Sequence, residues 1–214
     1  MFISLEGIEG SGKSTQISHI RTYLVAQGYT CLTTREPGGT SIGVRIRGIL
    51  LDPAVAHIDP LTELLLYMAD RAQHLAEIVK PALSAGAIVL CDRYYDATMV
   101  YQGEARGLGV EQVAQLHRLT FDDLKPDITF LLDLPPDVGL ERAWGQIERG
   151  DRTDAETRFE REKLSFHAMV RAGYLNLARS APERFCIVDA TQSEKEVCTE
   201  IVDALKHRLG KLNP

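Results

Sequence analysis

Apolar residues fall along this chain in two kinds of stretch that take turns. The first kind is short and dense: Phe2 to Leu5, Tyr29 to Thr34, Ala87 to Cys91, Asp127 to Leu134 and Arg184 to Val188. Each has the length of a strand, and Ala87-Ile88-Val89-Leu90-Cys91 and DITFLLDL are apolar enough to be buried on both faces, as in a parallel sheet. The second kind is longer, with apolar residues at helical spacing. Ile17, Ile20 and Leu24 mark a helix over residues 14–27, stopped by Gly28. Residues 41–51 form a short helix carrying Arg45 and Arg47.

The strongest helix follows Asp59-Pro60, an N-cap with proline at the first helical position. Leu61, Leu64, Leu65, Met68, Ala72, Leu75 and Val79 trace its apolar face. Val113, Leu116 and Leu119 mark a helix over residues 110–122, and another spans 138–144. Residues 145–155 are polar and carry arginines. Residues 156–180 form a long helix with Phe159, Phe166, Met169, Val170 and Tyr174 inward. Ser193 and Glu196 make a capping box for a final helix.

Strands alternating with helices specify an α/β chain with a mostly parallel, five-stranded sheet flanked by helices, with ligands at the carboxyl ends of the strands. That rule collects residues 6–14, 35–39, 92–94 and 189–192 at one edge of the sheet. No repeat, linker or low-complexity tract interrupts the chain, so 214 residues are read as one domain with an insertion near 145–155.

Composition narrows the function. The net charge of −6 argues against a general nucleic-acid binder, so phosphate sites must be local clusters of arginine and lysine. The cysteines at 31, 91, 186 and 198 are too scattered for a zinc site or a disulfide framework. No signal-peptide pattern opens the chain and the apolar runs are too short to span a membrane, which together lead us to expect a soluble cytoplasmic protein.

The chemistry concentrates after the first strand, where Gly7-Ile8-Glu9-Gly10-Ser11-Gly12-Lys13-Ser14 fits the phosphate-binding loop pattern. Glycines let successive backbone N–H groups turn inward around a phosphate, and the helix that begins there adds its positive end. Lys13 would reach the β- and γ-phosphates, and the Ser14 hydroxyl would ligand Mg²⁺. This stretch binds a nucleoside triphosphate.

Other constellations leave alternatives open. Asp92-Arg93, at a strand end, suits a metal-holding carboxylate beside a phosphate-clamping arginine, or a plain salt bridge; Asp133 is a second candidate for the metal. Tyr67 and Arg71 lie one helical turn apart, which suits stacking and hydrogen bonding to a flat base, or a core tyrosine beside a solvated arginine. Arg149 and Arg152, among glycines and acids, suit a mobile lid or an ordinary surface loop.

With this loop, T-R-E-P-G-G-T (34–40), D-R-Y (92–94), Y-Q-G (101–103) and D-A-T (189–191) in that order, the chain closely resembles the thymidylate kinase family. The resemblance runs from residue 2 to about 209. It implies the phosphate-loop NTPase fold of the nucleoside monophosphate kinases, a lid, a homodimer packed through helices, and transfer of the γ-phosphoryl of ATP to thymidine monophosphate with Mg²⁺. Residue by residue it implies that Gly7, Glu9, Gly10, Ser11, Gly12, Lys13, Ser14 and Thr15 form the ATP phosphate site and that Arg142, Asp189, Thr191 and Gln192 border adenine. Glu9 would meet the sugar 3′-hydroxyl and the metal region. Arg47 and Arg93 would grip the acceptor phosphate, Pro37 would line the pocket, and Tyr67 would stack on thymine with Arg71 and Thr98 on its polar edge. Tyr101, beside Gln102, would disfavour a ribose at C2′. Ser14 and Asp92 would hold the metal.

Some family members carry an arginine where Gly10 stands, so the resemblance assigns the transition-state cation to Arg149 or Arg152. A deoxynucleoside kinase would have less use for two acceptor-phosphate arginines, and a guanine-nucleotide switch would show N-K-x-D, which is not in this sequence.

Overall fold

The computed structural model describes residues 1–55, 57–151 and 153–210. Five strands, β1 (Phe2–Glu6), β2 (Cys31–Arg35), β3 (Ile88–Asp92), β4 (Ile128–Asp133) and β5 (Phe185–Asp189), form one parallel sheet in the order β2-β3-β1-β4-β5. The sequence places all five within a few residues. Alternate positions point to opposite faces, so Ile3 and Leu5 of β1 join one apolar cluster and Phe2 the other. β3 divides the same way, Ile88 and Leu90 against Val89 and Cys91.

The helices are α1 (Lys13–Ala26), α2 (Ser41–Leu51), α3 (Pro60–His74), α4 (Lys80–Ser84), α5 (Tyr95–Thr98), α6 (Val110–Phe121), α7 (Pro136–Glu148), α8 (Leu164–Ser180) and α9 (Glu194–Gly210). The Asp59 side chain accepts from the backbone N–H groups of Leu61 and Thr62 and starts α3. Ser193 and Glu196 close their capping box reciprocally. α1 and α9 pack together against the sheet, and α8 packs on β4 and β5.

Four sequence expectations change. α3 and the π-helical turn after it, Leu75–Val79, are rotated from the expected face: Leu64, Met68, Leu75 and Val79 are buried with Arg71 and His74, while Leu61 and Leu65 are each 53% exposed and Ala72 faces out. Buried ion pairs, which an apolar count cannot register, occupy part of the inward face. Leu119 on α6 and Met169 on α8 are likewise exposed, and buried His117 and His167 point inward from the same helices.

The long helix begins at Leu164, not at residue 156. Asp154–Glu156 is a short 3-10 helix and residues 157–163 are turn and irregular chain, because Lys163 takes an extended conformation and the Arg158 side chain is drawn to the Leu50 carbonyl and the Glu63 carboxylate. α7 runs past Gly145 to Glu148, and the irregular stretch starts only at Arg149. One mid-helix glycine costs only about 1 kcal/mol. The true stop is Gly150, at φ 75, whose N–H bonds back to Ile147.

Residues 95–105, left unassigned by pattern, are helical: α5 continues into a wide-turned π-helical segment, Met99–Ala105. Met99 through Gly103 are all buried, so no polar face exists to give a period.

Candidate active site

The carboxyl ends of the strands meet two cavities of about 510 and 900 Å³. The smaller is lined by Glu9, Lys13, Ser14, Pro37, Arg47, Tyr67, Arg71, Asp92, Arg93, Thr98, Tyr101 and Gln102, among others. Arg142, Ala190 and Gln192 border the larger one. Gly10, Ser11, Gly12, Thr15, Gln146 and Arg149 line both, so the phosphate loop and the end of α7 stand where the cavities join.

Lys13 Nζ donates to the carbonyls of Gly7 and Ile8 at 3.1 and 2.9 Å. Burial, with Arg93 adding to it, pulls its pKa down to about 8. Gly10 has φ 71, and a Cβ there would run into the Gly139 carbonyl of α7. The loop therefore has no room for a side chain at this position.

The Glu9 carboxylate is the hub of the smaller cavity. Oε1 accepts from Arg93 Nη2 at 3.0 Å and from the Tyr101 hydroxyl at 2.7 Å; Oε2 lies 3.1 Å from His167 Nδ1. Burial opposes its charge, but Arg93, His167 and Lys13 outweigh burial and hold the acid well below the usual carboxylate range. Arg93 itself adopts φ 66, uncommon for a residue with a side chain. Its N–H bonds to Leu5 O, the next N–H, of Tyr94, bonds to Glu6 Oε1, and its guanidinium lies over the Tyr101 ring.

On the α3 side, Arg71 donates from Nε to Glu36 Oε2 and from Nη2 to Thr98 Oγ1, both at 2.8 Å. His74 Nδ1 lies 2.8 Å from the other Glu36 oxygen, and its Nε2 lies 2.6 Å from Thr34 Oγ1. Arg47 holds Glu156 with two hydrogen bonds, at 3.0 and 2.7 Å, and donates to Pro37 O.

Residues 5–201 match the sequence model of the family described as thymidylate kinase. A thymidylate kinase of Desulfosudis oleivorans is 53% identical over 206 residues, covering 96% of each chain. One of Syntrophotalea carbinolica is 54% identical over 200 residues, 94% of this chain and 92% of that one. The crystal structure of a thymidylate kinase from Ehrlichia chaffeensis superposes with a TM-score of 0.74 at 32% identity, over 96% of this chain and 98% of that one. The chain belongs to the thymidylate kinase family.

Within this thymidylate kinase family chain, the two carboxylates considered for the metal part company. The Ser14 hydroxyl lies 3.3 Å from Asp92 Oδ2 at the foot of the phosphate loop. Asp133 is bound at both oxygens by Arg171 of α8, at 2.7 and 2.8 Å, and is thereby committed to an ion pair. A hydroxyl and a carboxylate oxygen side by side suit Mg²⁺, which takes few protein ligands and fills its shell with water and phosphate oxygens.

The other residues singled out in sequence are placed as follows. Asp189 and Thr191 turn on each other, the Asp189 carboxylate accepting from the Thr191 N–H and hydroxyl, while the neighbouring Ala190 and Gln192 border the larger cavity. Arg142 donates to the Ala190 carbonyl at 2.8 Å. Gln102, beside Tyr101, donates to the fully buried Glu63. Arg149 pairs with Asp151 at 3.1 Å. Arg152 lies outside the described residues.

Sequence reasoning passed over Glu36, Glu63, Arg158 and His167, which the structure brings to the site or its wall. Glu36 sits inside T-R-E-P-G-G-T, where a carboxylate next to a turn was readable. Glu63 precedes Tyr67 by one helical turn, and His167 precedes Tyr174 by two, on the face that points inward.

Proposed function

We propose that this chain transfers the γ-phosphoryl group of ATP to thymidine monophosphate, giving thymidine diphosphate, as one kinase domain with a lid near residues 149–155. The observation that carries the reading is a single cavity running from the phosphate loop, past Arg93 and Arg47, to the Tyr67–Arg71–Thr98 end. Phosphoryl transfer needs positioning and charge stabilisation more than covalent chemistry, and that cavity supplies both.

ATP lies across the loop with its phosphates on the N–H groups of residues 10–15 and Lys13, and its adenine near Arg142 and Gln192 in the larger cavity. Tyr67 stacks on thymine, and Arg71, already held by Glu36, presents its remaining donors with Thr98 to the base edge. Arg93 and Arg47 grip the acceptor phosphate, Arg47 exchanging Glu156 for it. Tyr101 closes the space a 2′-hydroxyl would need, and Glu9 accepts from the 3′-hydroxyl. Ser14 and Asp92 would hold Mg²⁺, which when bound would supply charge neutralisation to the phosphates. Arg149 or Arg152 supplies the further cation.

The chain acts as a cytoplasmic homodimer. No helix among the described residues is long and apolar enough to cross a membrane. Ile42, Val44 and Ile49 of α2 and Leu61 and Leu65 of α3 are about half exposed, on two helices that pack on each other, and support pairing through them. ADP release measured with thymidine, thymidine monophosphate and no acceptor tests the activity. Turnover dependent on the monophosphate is expected; equal turnover with thymidine would overturn the assignment.

A further inference from the structure

A carboxylate offers about four acceptor positions. On Glu9, Oε1 takes donors from Arg93 and Tyr101, and Oε2 meets, among the described residues, only His167 Nδ1. One acceptor position remains, on Oε2, and the residue lines the cavity. His167 comes from α8, is wholly enclosed, and its Nε2 has no hydrogen-bond partner among the described residues. A buried ring nitrogen without a partner costs stability, so the histidine is a poor core residue. Its polar contact is with Glu9. The lone pair left on Nε2 and the carboxylate at Nδ1 fix the tautomer with the proton on Nδ1.

We infer that His167 is a positioning residue for the acceptor: its Nδ1–H holds Glu9 Oε2 so that the remaining lone pair meets the sugar 3′-hydroxyl. Arg93 and Tyr101 pin one oxygen, but a carboxylate pinned at one oxygen can still turn about its last bond. The third donor, at the other oxygen, removes that freedom. His167 therefore acts on recognition of the 3′-hydroxyl through Glu9. The inference rests on the proposed sugar contact of Glu9.

The test compares thymidine monophosphate with 3′-deoxythymidine monophosphate in wild type, His167→Leu, His167→Gln and His167→Asn, with melting temperature followed for each. Asparagine places an N–H where Nδ1 stands, and glutamine moves it to the position of Nε2. His167→Leu and His167→Gln are expected to raise KM for thymidine monophosphate about tenfold, the scale of one hydrogen bond to a charged group. KM for ATP and for the 3′-deoxy compound stays at the wild-type value, and His167→Asn restores the thymidine monophosphate value. If the leucine variant does not fold, the glutamine variant carries the same comparison. A folded His167→Leu or His167→Gln with wild-type KM overturns the inference, as does a parallel rise for the 3′-deoxy compound, or failure of asparagine to restore. Wild type that accepts both monophosphates equally removes the Glu9 sugar contact and the inference with it. Wild type inert toward thymidine monophosphate instead removes the proposed activity, before any variant is made.

Discussion

Arg71 and Glu36 form an ion pair with Nε and Oε2 2.8 Å apart, and neither side chain is more than 3% exposed. The pair spans α3 and the turn after β2, so it fixes one wall of the proposed base pocket. Burial opposes the charge on Glu36, yet Arg71 and His74 overcome it and keep the carboxyl below its ordinary range.

Arg71→Ala is therefore expected to affect both stability and substrate binding. Removing one partner of a buried pair costs about 3–5 kcal/mol, because the other charge is left without compensation. Urea unfolding should show that loss, and adding Glu36→Gln should recover part of it. The folded fraction should show a raised KM for thymidine monophosphate with KM for ATP little changed. Equal stability of wild type and Arg71→Ala would count against the pair as a support.

Lys13, the proposed phosphate ligand, should link pH to triphosphate binding. Its pKa of about 8 in the folded chain means the ammonium is lost above that pH, although an ordinary lysine keeps its proton beyond 10. ATP affinity, measured calorimetrically from pH 7 to pH 10, should fall as pH rises past about 8. Lys13→Arg, which stays charged throughout, should abolish that slope. Lys13→Ala should fold and lose most turnover. A flat wild-type profile would refute the assignment.

Glu6, fully buried under Tyr94 and Tyr174, has its pKa pushed up to about 8 by burial, with Asp96 adding to it. Between pH 4.5 and about 8 the folded chain holds a proton that the unfolded chain has released. Stability from this group is complete below the unfolded value and is lost as pH rises through the folded one. Glu6→Gln should thus gain stability relative to wild type from pH 5 to pH 8. Parallel pH curves for the two proteins, from denaturant titrations, would show that Glu6 does not titrate in that window.

Arg149 is expected to act mainly in the transition state, where such an arginine is worth about 10³–10⁵ in kcat. The Arg149–Asp151 pair is 65% and 61% exposed on its two sides, so it is weak and easily exchanged. Arg149→Ala should lower kcat with little change in either KM, and Arg152→Ala serves as the comparison. A fall of less than tenfold in both variants would leave catalysis to Lys13, Arg93 and the metal.

The strands and the phosphate loop were legible because each rests on local chemistry: an apolar run, a glycine spacing, a capping residue. Residues 99–103 were not, since a segment enclosed on every side has no polar face to mark its period. Nor could sequence say which strand-end carboxylate is available. Asp92 and Asp133 look alike in the chain, and only the folding of α8 brings Arg171 onto Asp133. Glu63 draws donors from Gln102, Arg106 and Arg158, residues 39, 43 and 95 positions away, and no local pattern encodes that.

The strand order carries a consequence for how such a protein can change. With β1 central, the residues proposed to read the acceptor base hang from α3 and from α5 after β3, and the proposed adenine border hangs from α7 and the end of β5. The two flanks touch a common wall only at the loop, Gln146 and Arg149. Substitutions around Tyr67 and Arg71 are therefore expected to change which base is accepted with little effect on the phosphoryl donor. With the ligands placed as proposed, the sheet stands between a replaceable reader and a constant power supply.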